Sequence, residues 1–128
     1  MIKYVLAALF AASTATAGDF GASGTPPAEG LSLPLILASK AETAVAVMCG
    51  TSGVEVHVIT EPGPLELRVD SGVPFLREIV AGLVLEGADA ERLVGEMVDG
   101  AELVLTPGRT FDLQGFGQLR SDVLVECP

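Results

Sequence analysis

Two cysteines, Cys49 and Cys127, stand 78 positions apart (127 − 49) and enclose most of the strand-like sequence in a chain of 128 residues. A covalent link between them would tie the first core strand to the C-terminus, which limits the possible folds more than any other feature. The chain-entropy estimate for such a loop is about 4 kcal/mol before native-state strain is subtracted. That is a large share of the ~5–15 kcal/mol holding a typical domain together. Pairing needs an oxidising compartment, and the start of the chain bears on that. Lys3 supplies a positive n-region, Tyr4 to Ala12 an apolar run, and Ala15-Thr16-Ala17 a small-residue cleavage site, the pattern of an export signal over residues 1–17. A Cys49–Cys127 disulfide is therefore expected. The competing reading, two separate thiols in metal or redox work, lacks the close CxxC spacing those roles use.

Cleavage after Ala17 would leave 111 residues of the 128, one domain with a modest core. The apolar run at the start falls short of the roughly 20 residues a membrane-spanning helix needs, and every later apolar stretch is interrupted by Pro, Gly or charge. Seventeen acidic residues against seven basic ones give a net charge of −10, or −11 once Lys3 is removed. Such a field repels phosphate backbones and anionic lipid and attracts basic surfaces. A protein partner with a basic face is the expected kind, and nucleic acid is not.

Residues 18–30, rich in Gly, Ser, Pro and Ala, read as a flexible leader, with Phe20 disordered in it. Residues 31–128 read as a single β-rich domain. Leu33, Leu35 and Leu37 alternate, and Pro34 confines that stretch to a sheet edge. Val45, Val47 and Cys49 form the inward face of a strand. After the Gly50–Gly53 turn, Val54, Val56 and Val58 lie on one side and Glu55 and His57 on the other. Leu65, Leu67 and Val69 make a third half-buried strand, ending in an Asp70-Ser71-Gly72 turn in which Asp bonds its own backbone and Gly takes positive φ.

Val73 to Glu86 is ambiguous. Phe75, Ile79, Leu83 and Val84 fit a helix, whereas two strand pieces bent at Ala81-Gly82 fit the apolar runs better. Phe75 is a candidate for exposure, with core packing the preferred assignment. From Ala88 to Asp99 the stripe of Ala90, Leu93, Val94 and Met97 predicts a helix, with Asp89 in its first turn, Arg92 facing Glu96, and Gly100 ending it. Strands over Ala101–Thr106 and Thr110–Leu113 follow, joined by Pro107-Gly108. A closing helix then carries Phe116, Leu119, Val123 and Cys127 on one face, with a strand over Val123–Val125 as the alternative. The whole reads as mainly β, a small antiparallel sandwich or barrel with one crossing helix, a C-terminal helix and one disulfide.

Chemistry finds little footing. His57 is the single histidine, and beside Glu55 on an outer strand face it reads as a surface residue rather than a base or ligand. One His without a Cys cluster falls short of a zinc site. The acidic residues lack the spacing of a calcium loop and read as a solvated face. No nucleophile elbow or phosphate loop is present; Gly115-Phe116-Gly117 is better explained as room for the last helix. No catalytic, cofactor-binding or metal residue is assigned, and no cofactor is expected.

The order of features carries a resemblance: an export signal, Cys49 in an early strand, Arg68-Val69-Asp70 with Gly72, a helix to Gly100, Phe111-Asp112-Leu113-Gln114-Gly115-Phe116, and Cys127. Over roughly residues 45–127 this resembles the invasion-associated locus B family of bacterial exported proteins. The resemblance implies a sandwich-like fold and a periplasmic or surface interaction role, and it brings no catalytic residues. Met48-Cys49-Gly50 followed by Val54 and Val56 is also similar to the opening hairpin of periplasmic lysozyme inhibitors, which implies the alternative role of inhibiting a basic enzyme.

Overall fold

Period-two alternation becomes two antiparallel sheets in the computed structural model, which describes residues 18–23, 35–51, 53–106, 108–124 and 127. In chain order the strands are β1 (Gly21–Ser23), β2 (Leu35–Lys40), β3 (Thr43–Gly50), β4 (Gly53–Ile59), β5 (Gly63–Val69), β6 (Phe75–Ile79), β7 (Leu83–Leu85), β8 (Glu102–Leu105) and β9 (Arg109–Asp112). Helix α1 (Gly87–Asp99) lies between β7 and β8, and α2 (Phe116–Val123) follows β9. One sheet has the order β1-β2-β3-β4-β7, the other β9-β8-β5-β6. Strands β2 to β9 each give one face to the core between the sheets. Ile36, Val47, Val56 and Leu85 stand in register across the larger sheet, and Val69, Leu103 and Phe111 across the smaller, all of them buried.

The chain passes from one sheet to the other three times, twice at bends and once through α1. Residues 60–62 carry it from β4 to β5, and residues 80–82 from β6 to β7. The two-strand reading of Val73–Glu86 therefore holds, and Gly82 turns the corner with a φ of +130° that an L side chain rarely adopts. Phe75 lies in the core.

Helix α1 buries the expected stripe of Ala90, Leu93, Val94 and Met97 and packs against β4 and β5. Arg92 fastens it to the small sheet: its guanidinium lies 3.8 Å from the centre of the Phe75 ring and donates to the Val73 carbonyl at 3.0 Å. Helix α2 begins where Gly115 adopts left-handed backbone, φ 84°, and a Cβ at Gly117 would come within 3.3 Å of Val98 on α1. Gly117 thus makes room for the closing helix, while Gly115 supplies the left-handed turn that starts it.

Four local expectations are corrected. The leader is not loose over Gly18–Ser23: β1 pairs with β2, Gly18 N–H donates to Gln114 O at 2.8 Å and Asp19 N–H to Asp112 O at 3.0 Å. Phe20 is buried in van der Waals range of Phe111 and Phe116, with ring centres 5.9 and 5.4 Å away; a ring of that size gains more from the core than the segment loses in freedom. The rest of the expected leader, the export signal, and Leu31–Pro34 lie outside the described residues. Strand β2 is an interior strand because β1 covers it, and Ile36 and Ala38 face inward while Leu37 is exposed.

In the Asp70-Ser71-Gly72 turn it is Asp70 that adopts positive φ, 51°. Its carboxylate accepts the N–H groups of Ala101 and Glu102 rather than its own backbone, because β8 needs those donors satisfied where it leaves α1. Finally, α2 stops at Val123, so Cys127 lies beyond the helix rather than on its face, packed against the core with its N–H donating to Leu124 O at 3.1 Å. The disulfide between Cys49 and Cys127 forms as expected, with the two Cα atoms 5.3 Å apart.

Candidate functional site

Strand β3 runs between two different ends of the sandwich. At its far end Cys49 meets Cys127. At its near end Thr43 opens a cleft of about 790 Å³, within the roughly 300–1,000 Å³ of small-ligand pockets.

Sequence period and topology place the residues of this mouth. Thr43, Thr60 and Leu65 continue the inward-facing series of β3, β4 and β5, and Thr43 and Thr60 share a hydrogen bond of 2.9 Å. Glu61 and Pro62 with Gly63 and Pro64 at the start of β5 form a rim, joined by Leu76, Arg77 and Glu78 from β6, Leu105 from β8, Thr106 from the turn after it and Arg109 from β9. Thr106 fixes that turn to β5, its hydroxyl accepting the Glu66 N–H at 3.0 Å and its own N–H donating to Glu66 O at 3.0 Å.

Arg109 is the unusual member. Register aligns Phe75, Leu67, Leu105 and Arg109 across the small sheet, and the first three are buried apolar residues. A guanidinium therefore ends an inward-facing row, and its Nε is buried without a hydrogen-bond partner among the described residues. Extending the Phe111, Leu113 alternation back by one step places residue 109 inward, so the signal was present in the sequence. It was masked by the Pro107-Gly108 turn just before it.

The other cations of the described residues are engaged within the molecule. Lys40 pairs with Asp19 at 3.0 Å and donates to Thr110 O at 2.7 Å. Arg68 contacts Glu66 and the Asp70 carbonyl, and Arg77 contacts Asp89 at 2.9 Å. Arg92 is held as described above, and Arg120 donates to Leu124 O at 3.1 Å. By contrast Glu42, Glu61, Glu78, Glu86, Glu91, Asp99 and Glu102 are exposed and form no ion pair among the described residues.

Asp19 titrates below the ordinary carboxylate range, chiefly because the Asp112 backbone N–H donates to it at 2.6 Å. Partial burial opposes this, and Lys40 adds to it.

His57 is half-buried on the outer face of β4 with Glu55 at 3.0 Å, and it is not part of the cleft lining. The acidic residues around α1, Glu91, Glu96 and Asp99, flank a shallower depression next to Asp70. Among the described residues no group of three or more His, Cys, Asp or Glu is arranged to hold a metal ion, and no helix is long and apolar enough to cross a membrane. No protein-family model, no curated protein and no solved structure matches the chain.

Proposed function

We propose that the chain is an exported, non-catalytic β-domain that acts in the periplasm or at the cell surface by docking onto a basic protein. One observation carries this reading: five of the six cations among the described residues are engaged in intramolecular contacts, while seven exposed carboxylates remain for a partner. An approaching basic surface meets acidic groups already unencumbered, which speeds encounter and selects against acidic partners. The disulfide suits an oxidising compartment, and the resemblance to the invasion-associated family points the same way.

Isothermal titration of the oxidised protein with lysozyme as the basic probe, at low salt and again at about 0.5 M salt, tests the reading. Binding that weakens with salt is the expected result. Absence of binding to lysozyme and to other basic proteins at low salt overturns it. A narrower alternative, inhibition of a basic enzyme such as lysozyme, rests on the same charge distribution. Equimolar protein that leaves cell lysis undiminished removes the alternative and leaves the wider reading standing.

A further inference from the structure

We propose that the cleft at the mouth of the sandwich is the seat of the partner, and that its occupant is an extended peptide segment in which apolar and basic side chains alternate. This rests on the basic-partner reading above and names where and how the partner binds.

Three features of the cleft specify such a segment. The first is the unpartnered, buried Nε–H of Arg109. A donor shut away from water needs an acceptor, and a peptide carbonyl is an acceptor that carries no charge into an acidic surface. The second is the apolar lining from Pro62, Pro64, Leu65 and Leu76, of which Leu76 is 66% exposed. Next to inward-facing Phe75 on the edge strand β6, Leu76 stands on the outer lip of the cleft, where an exposed leucine is suited to burial by an apolar side chain. The third is the pair of carboxylates on the same lining, Glu61 and Glu78, both exposed and both without an ion pair among the described residues.

Charge complementarity decides between occupants. A fatty acid or another anionic amphiphile would satisfy Arg109 but would set its carboxylate in a cleft that also holds Glu61, Glu66 and Glu78. A second copy of this chain, with its excess of acidic residues, is repelled for the same reason. A basic and apolar peptide satisfies all three features together, because period two in an extended chain sends apolar side chains to one wall and basic ones to the rim. The rim is built on strands and a proline-rich linker, and the Thr43–Thr60 and Thr106–Glu66 hydrogen bonds hold its floor, so little ordering accompanies binding.

The test is fluorescence anisotropy of the full oxidised protein with a labelled Gly-Leu-Lys-Leu-Lys-Leu-Gly amide. Control peptides replace every Lys by Glu, or every Leu by Ser. Binding of the Leu-Lys peptide, with at least ten-fold weaker binding of both controls, is expected. The double variant Glu61→Gln/Glu78→Gln should lose at least five-fold in affinity, and Arg109→Met and Leu76→Ser should each lose several-fold. Glu61, Glu78 and Leu76 are exposed, so their variants should unfold at the wild-type temperature, which separates lost docking from lost folding. The proposal is overturned if the Leu-Lys peptide binds equally well to wild type and to these three variants; the basic-partner reading survives that outcome. If neither the peptide nor lysozyme binds, both fall together. Preference for a labelled fatty acid over the peptide also overturns the proposal and reassigns Arg109 to a carboxylate.

Discussion

Two ends of one strand, Thr43 and Cys49, lie six residues or about 20 Å apart and are finished in opposite ways. Around Cys49 the chain closes on itself: the disulfide ties the end of β3 to Cys127, and both half-cystines pack against the buried core. Around Thr43 the sheets part over a cleft whose lining mixes Pro and Leu with threonines, carboxylates and an unpartnered arginine. The lesson is that stability and binding are segregated. The stapled end contributes the covalent cohesion, and the Phe20, Phe111 and Phe116 rings the aromatic cohesion, that let the mouth keep an unsatisfied donor and exposed leucine, features that cost stability wherever they occur.

Removing the staple is the harshest way to break this contrast. Cys49→Ala with Cys127→Ala, or reduction of the native protein, is expected to cost about 4 kcal/mol in a urea titration. Loss of less than about 1 kcal/mol would show that the closed end does not depend on its covalent link. Next in size is Phe20→Ala, expected to cost about 3 kcal/mol through the cavity left between Phe111 and Phe116. A neutral result would return Gly18–Ser23 to the status of a dispensable leader.

Acid sharpens the comparison further. Asp19 has a folded pKa below its unfolded one, so its contribution is complete above the unfolded value of about 3.9 and is lost as pH falls through the folded value. Asp19→Asn should therefore cost about 1 kcal/mol at neutral pH, and the gap between variant and wild type should narrow as pH falls below the unfolded value. A gap that persists in acid would assign the effect to geometry rather than charge. Smallest of all is Leu76→Ser at the open end, expected to shift thermal unfolding by no more than about 0.5 kcal/mol because the side chain is 66% exposed. A large loss there would mean the mouth also supports the fold.

Much of the architecture was readable from local pattern. The inward series Val45–Val47, Val54–Val56–Val58 and Leu65–Leu67–Val69 follows from alternation, and Ala90, Leu93, Val94 and Met97 from helical spacing. Phe20 was not readable, because a lone aromatic among glycines and serines has no periodicity; only the proximity of Phe111 and Phe116 gives it a place. The inversion of β2 has a similar origin. Leu33, Leu35 and Leu37 outweigh Ile36 and Ala38 in apolar character, yet pairing with β1 and β3 sets which face turns inward.

The cleft was the least legible part. Its lining comes from Thr43, Glu61, Leu76 and Arg109, drawn from four places in the chain that share no motif. Their nearness follows from register and from the sheet-to-sheet passages at residues 60–62 and 80–82.

What the linear chain determined by itself was the inventory: a strand-rich, acidic polypeptide with one pair of sulfurs and a helix of known face, since these depend on composition and on contacts between near neighbours. Tertiary structure alone decided which cations would be consumed internally, that the Thr43 end would open into a cleft, and that Arg109 would be left there without a partner. Those outcomes depend on distances between residues far apart in sequence, which no local periodicity encodes.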